Sequence, residues 1–132
     1  DSEMENKEKD PNVVDSVINK KAQKSIKIIE KLLREMHKDI RDLIDLENLD
    51  KSTEVIKQKS VRITKICVAL QSTLDHENGG IVAHHLDHLY KHIRYAVHRV
   101  RDEHDFTFLH SAEKVTAEIN EGWQKISESA AA

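Results

Sequence analysis

The 132-residue sequence is poor in residues that interrupt helices or crosslink chains, with three glycines, one proline and one cysteine. So few turn-forming residues argue against a many-stranded sheet and favour long helices. Aromatic residues make up only 4% of the chain, so the core must be built from aliphatic side chains. The lone Cys67 cannot form an intramolecular disulfide, which is typical of a reducing compartment such as the cytosol.

The chain also has no excess of positive charge, because 21 Lys and Arg residues face 24 Asp and Glu residues and leave a net charge of −3. We therefore expect no nucleic-acid partner, since phosphate backbones are bound by basic surfaces. No apolar run approaches the roughly 20 residues that a membrane-spanning helix needs. Membrane insertion is accordingly not expected either.

Apolar residues recur at the spacing of amphipathic helices along most of the chain. The pattern predicts a first helix over about residues 20–47, alternatively with a separate short helix before it, and a second helix over about 52–73. A third helix is predicted from just after Gly79 and Gly80 to about Arg101, and a fourth follows it. The predicted connections between these helices are only a few residues long and cannot cross the bundle. Consecutive helices should therefore lie side by side in opposite directions. The sequence therefore predicts an all-α fold, an antiparallel up-down four-helix bundle with a long first helix.

The two ends of the chain differ in composition from the helical part. Residues 1–12, DSEMENKEKDPN, have one Met and no other large apolar side chain, so burial cannot offset the entropy lost on ordering them. We expect residues 1–12 to be a disordered tail, residues 13–128 a single helical-bundle domain, and residues 129–132 a disordered C-terminus.

Two of the predicted helices have apolar faces that assign residues to the core. On the second helix Cys67 lies on the apolar face, so we interpret it as a buried hydrophobic side chain and not as a reactive thiol. The third helix has the clearest apolar stripe, formed by Val82, Leu86, Leu89, Ile93, Ala96, Val97 and Val100.

Five of the nine histidines fall within LDHENGGIVAHHLDHLYKH, residues 74–92. His85, His88 and His92 share one flank of the third helix, and His88 and His92 have the i, i+4 spacing of two ligands to one metal. A metal-binding, hemerythrin-like bundle is therefore one alternative. However, zinc needs three or four ligands, and the Glu-x-x-His pattern of di-iron bundles occurs nowhere in the sequence. We interpret the three histidines as a solvated flank and expect no cofactor.

A histidine phosphotransfer domain is another alternative, because such domains present an exposed histidine on a helical bundle. His84 is the first candidate acceptor, with His85 and His88 beside it. The nearby Asp87 would repel a phosphate group. The sequence also has no glycine-rich phosphate loop and no Gly-x-Ser-x-Gly motif. We therefore expect no catalytic residues and no enzyme activity.

The junction of the second and third predicted helices carries a specific pattern, formed by Leu74, Asp75, Glu77, Gly79, Gly80, Val82, Ala83, Leu86, Leu89 and Tyr90. This pattern resembles the LD-x-E-x-GG-x-IA-x-x-L-x-x-LY motif of the flagellar secretion chaperone family FliS. Trp123, near the end of the fourth helix, is a further point of resemblance. The similarity extends from about Ser25 to Ile126.

The resemblance implies a cytoplasmic, non-enzymatic bundle that binds the C-terminal segment of flagellin, prevents its early polymerisation and helps deliver it to the export gate. The first helix differs from the family, because Glu30–Glu35 stands where FliS proteins usually have an ML-Y-[DE]-G-A run. A co-chaperone that binds the FliS chaperone itself is therefore an alternative within the same family. The residues of the partner-binding surface are not identified by the resemblance.

Overall fold

The structure is a computed structural model that describes the backbone of residues 11–49 and 53–131. It also describes the side chains in these ranges, except those of residues 11–23, 126, 127 and 129–131. This part of the chain forms four helices and no strand: α1 (Pro11–Asp45), α2 (Thr53–Ser72), α3 (His76–Glu103) and α4 (Thr107–Ala131). The prediction of an all-α fold with four helices is confirmed.

The four helices form a closed ring of neighbours. Each helix packs against the next one along the chain, and α4 returns to pack against α1. Within the described residues, the diagonal pairs α1–α3 and α2–α4 have no close backbone contact. Residues 73–75 and 104–106 are the short connections that turn the chain back at two of the corners. This is the predicted up-down bundle.

Helix α1 is one uninterrupted helix of 35 residues, about 50 Å long at 1.5 Å per residue. The alternative with a separate short helix before it is therefore wrong. Pro11 occupies the first helical position, where its fixed φ angle and missing N–H group are tolerated. The helix starts within the segment predicted as a tail, and α4 likewise continues to Ala131. Residues 1–10 and Ala132 lie outside the described part.

The core is aliphatic, as the scarcity of aromatic residues predicts. All four helices contribute, and Cys67 lies among the buried side chains, as predicted. Burying one large apolar side chain contributes roughly 1.5–3 kcal/mol to folding. The main buried residues are Leu33, Met36, Ile40, Leu43, Ile56, Ile63, Ile66, Leu70, Tyr90, Ile93, Val97, Val100, Phe106 and Leu109.

Of the predicted α3 stripe, Leu86 and Leu89 are only partly buried, and one member, Val82, lies at the surface. Val82 is 66% exposed, whereas the neighbouring Ala83 is 4% exposed. Ala83 lies seven residues before Tyr90 and fourteen before Val97, so the three stack on the core face at intervals of nearly two helical turns. Val82 is rotated about 100° away from that line, which places it at the surface. The prediction that Val82 belongs to the buried stripe is therefore wrong.

Candidate functional site: the α2–α3 corner and the grooves of the bundle

The α2–α3 corner, residues 74–80, begins with a helix cap. Asp75 is the N-cap of α3, and its carboxylate accepts hydrogen bonds from the backbone N–H of Asn78 at 3.0 Å and from the Asn78 side-chain amide at 2.9 Å. These bonds, the backbone one first, hold the pKa of Asp75 below its ordinary value. Glu77 adds negative charge in the first turn, where the helix dipole favours it.

The two glycines of the corner have different roles. Gly80 has a φ of 52° and a ψ of −128°, a conformation that side chains with a Cβ rarely adopt. It interrupts α3 after its first turn, so the regular helix starts beyond it, as predicted. Gly79 does not have a positive φ angle. Instead, a Cβ there would lie 2.9 Å from the Cβ of Ala83, so Gly79 permits close packing of the first turn.

Apart from the exposed Val82, the apolar members of the corner motif are packing residues. Leu74, Leu86 and Trp123 are partly buried and pack against the core, and Leu89 is also partly buried. Tyr90 is buried, and burial raises the pKa of its hydroxyl to about 12. The motif therefore fixes how α2 turns into α3 and presents no reactive group.

Among the described residues, the candidate histidines of α3 do not belong to a larger set of metal ligands. His84, His85 and His88 are exposed, and His92 is half-buried. In the parts of the chain that the structure describes, no group of three or more His, Cys, Asp or Glu side chains could hold a metal ion. Within the described ranges, His85, His88 and His92 therefore do not form the group of three or more ligands that a zinc site requires.

The comparisons with known proteins identify the family. The family model described as "Flagellar protein FliS" matches residues 21–130, a range that includes the α2–α3 corner and reaches into all four helices. This chain belongs to the FliS family. Membership implies a role as a flagellar export chaperone, and such chaperones are not enzymes. Searches of curated proteins and of solved structures gave no significant match. No helix within the described residues is long and apolar enough to cross a bilayer.

In this FliS-family bundle the seam between α1 and α4 is joined by histidine–carboxylate contacts. His37 lies 2.9 Å from a carboxylate oxygen of Glu113. His110 lies 2.8 Å from a carboxylate oxygen of Glu47, which follows α1 in the chain. Neither pair was predicted, because the members are 76 and 63 residues apart and no local pattern links them.

The seam between α1 and α2 is joined by ion pairs around a buried carboxylate. Asp39 is almost fully buried, and its two oxygens lie 3.4 Å from Lys59 and 2.9 Å from Arg62. Lys59 also contacts Asp42 at 3.2 Å. This cluster was not predicted either.

The seam between α2 and α3 contains an open groove of about 430 Å³. Gln71 of α2 spans the seam: its amide nitrogen donates to Asp87 at 3.0 Å and its oxygen accepts from Arg94 at 2.9 Å. We call this cavity the basic groove, after the cations on its α3 side. It is lined by Ser60 and Thr64 of α2 and by Lys91, Arg94, Tyr95, Val97, His98 and Arg101 of α3.

Cys67 is not available for chemistry in the folded protein. Its side chain is buried and its sulfur lies 3.4 Å from the sulfur of Met36. Burial raises the pKa of the thiol to about 12, against which the charge of Arg94 acts only partly. The reactive thiolate is therefore hardly populated at neutral pH.

Proposed function

We propose that this FliS-family chain is a cytoplasmic flagellar export chaperone that binds the C-terminal segment of flagellin, keeps it from assembling early and supports its delivery to the export gate. The observation that carries the proposal is the family match over residues 21–130. It is supported by the bundle fold and by the α2–α3 corner, where Asp75 caps α3 and Gly80 has a positive φ angle.

The surface of the bundle supports a protein-binding role. Several large apolar side chains are exposed, among them Ile81 at 73% and its neighbour Val82 at 66%, at the start of the regular part of α3. We take Ile81 and Val82 as part of the candidate partner surface, because contiguous exposed apolar patches mark interaction sites. A client segment that is disordered before binding must be ordered on the bundle, which lowers affinity for a given contact area.

A second candidate function is that of a co-chaperone that binds a separate FliS chaperone. The observation that favours it is the first helix, where Glu30–Glu35 lacks the Tyr and Gly of the usual family sequence. In this chain that stretch is continuous helix, with Leu33 fully buried in the core.

The two candidates are distinguished by a binding experiment with purified components. The full chain is immobilised and offered flagellin, flagellin without its C-terminal segment, and FliS from the same organism. Retention of flagellin but not of its truncated form supports the chaperone function. Retention of FliS alone supports the co-chaperone function, and failure to retain either partner at micromolar concentrations contradicts both.

A further inference from the structure

The basic groove differs from the α1–α2 seam in how its charges are balanced. Lys91 pairs with Asp87 at 2.9 Å, and His98 and Arg101 both pair with Asp102, at 2.8 and 3.1 Å. These carboxylates all belong to α3 itself. Among the described residues, none of these three basic side chains pairs with a side chain of α2, so the groove is not bridged by ion pairs as the α1–α2 seam is.

Arg94 is the least neutralised cation of the basic groove. Its guanidinium donates to the amide oxygen of Gln71 at 2.9 Å, and within the described residues no carboxylate lies at ion-pair distance from it. Its charge therefore acts on whatever enters the groove. A guanidinium presents several N–H donors in a fixed plane, an arrangement that matches a carboxylate.

The floor of the basic groove contains a hydroxyl group without a partner. Ser60 is 1% exposed, and its hydroxyl oxygen has no hydrogen bond in the described part of the protein. Thr64 beside it donates to the backbone carbonyl of Ser60 at 2.9 Å. Tyr95 is half-exposed and gives the groove an apolar side. A buried hydroxyl without a partner is unfavourable unless a bound group reaches it.

We infer that the basic groove binds an acidic segment of the protein partner, with a carboxylate of that segment on the guanidinium of Arg94. This inference rests on the proposed function, because it states where and by what chemistry the partner is held. The cations from Lys91 to Arg101 extend over roughly 15 Å of α3, which matches two to three turns of a partner helix.

The charge of the rest of the protein favours a peptide over a nucleic acid. The net charge of the chain is −3, and α4, on the opposite side of the bundle from α2, has four Glu and two Lys residues. A nucleic acid needs a basic surface larger than this groove to replace its counterions. A short acidic segment needs only local complementarity of charge.

The first test measures binding of a defined acidic peptide to the full chain. The probe is a synthetic peptide of alternating Leu and Glu blocks, compared with the same peptide carrying Gln in place of Glu. Binding is followed by fluorescence anisotropy at low and at moderate salt. The protein variants are Arg94→Glu in the basic groove and, as a control with the same change of charge, Lys114→Glu on the exposed face of α4.

We expect the Glu peptide to bind the wild type and the Lys114→Glu variant, more weakly as salt increases, and to bind Arg94→Glu about tenfold or more weakly. Equal affinity of Arg94→Glu and wild type, or equal binding of the Gln peptide, overturns the inference. So does a site that takes only inorganic phosphate, seen as an Arg94-dependent thermal shift without peptide binding. Circular dichroism of Arg94→Glu checks that the helices remain folded.

A second test separates this inference from the proposed function. The retention experiment is repeated with the Arg94→Glu chain and the same flagellar partners. If the wild type and Arg94→Glu retain the partner equally, the inference fails while the proposed function stands. If the wild type retains neither partner, the proposed function fails, and Arg94-dependent binding of the Glu peptide still supports the groove as a site for acidic segments.

Discussion

At the scale of single residues, the environment of a side chain decides whether it can react. Cys67 is the only thiol, and burial both shields it and raises its pKa to about 12. Tyr90 has its pKa raised to about 12 for the same first reason, burial. Both side chains contribute to the core.

The first prediction concerns the thiol of Cys67. In the native protein we expect a thiol reagent such as DTNB to react at least about a hundredfold more slowly than in the urea-unfolded chain, because the thiolate is both rare and inaccessible. The measurement is the rate of absorbance change with and without urea. Equal rates in the two states would show that Cys67 is open to solvent.

The second prediction concerns Asp105 and acid stability. The guanidinium of Arg99 donates to Asp105 at 2.7 Å and the backbone N–H of Thr107 donates to it at 3.0 Å. These bonds, that of Arg99 first, lower the pKa of Asp105 from 3.8 to about 2. Because the folded-state pKa of Asp105 is lower than its unfolded-state pKa, these contacts stabilise the fold at pH values above the unfolded-state pKa. That stabilisation is lost as the pH falls through the folded-state pKa.

We therefore expect Asp105→Asn to reduce the loss of stability between pH 3.8 and about 2. The measurement is urea unfolding at several pH values in this window, for wild type and variant. A variant whose free energy of unfolding falls with pH as steeply as that of the wild type would show that the Arg99–Asp105 contact does not form in solution.

At the scale of elements, the turn between α2 and α3 depends on one backbone conformation. Gly80→Ala places a Cβ on a residue with a φ of 52°, and we expect a loss of roughly 1–3 kcal/mol in the free energy of unfolding. Gly122→Ala is the matched control, because a Cβ there meets nothing within 4 Å and α4 is helical at that point.

For Gly122→Ala we expect no loss, or a gain of up to about 1 kcal/mol, since alanine favours helices over glycine. Urea unfolding followed by circular dichroism measures both variants. If Gly80→Ala is as stable as Gly122→Ala, the corner does not need a glycine with a positive φ angle at position 80.

Only part of the helix arrangement could be predicted from the sequence. The four helices could be predicted, because their apolar residues recur over many turns. The burial of Ala83 in place of Val82 could not, because it depends on the rotation of α3 against its neighbours. The pairs His37–Glu113 and Asp39–Arg62 depend on which helices are adjacent and on how they are offset along their axes. No local sequence pattern specifies either.

The basic groove was missed for the same reason. Lys91, Arg94, His98 and Arg101 can be placed on one face of α3 from their spacing, but a charged helix face is usually just solvated. Only the packing of α2 beside them shows that Ser60 and Thr64 complete a cavity.

At the scale of the whole molecule, side-chain contacts cross all four seams of the bundle. Polar contacts join α1 to α2 and to α4, and the Tyr95–Phe108 ring contact joins α3 to α4. The α2–α3 seam is bridged by Gln71 but leaves a basic groove open beside it.

Calorimetric titration of the full chain with the isolated C-terminal segment of flagellin, and separately with FliS, is the most direct measurement of whether this bundle is a flagellar chaperone. We predict a saturable complex with one of them, with a micromolar or lower Kd and a negative heat-capacity change from apolar burial. Absence of binding to both at micromolar concentrations would contradict the account.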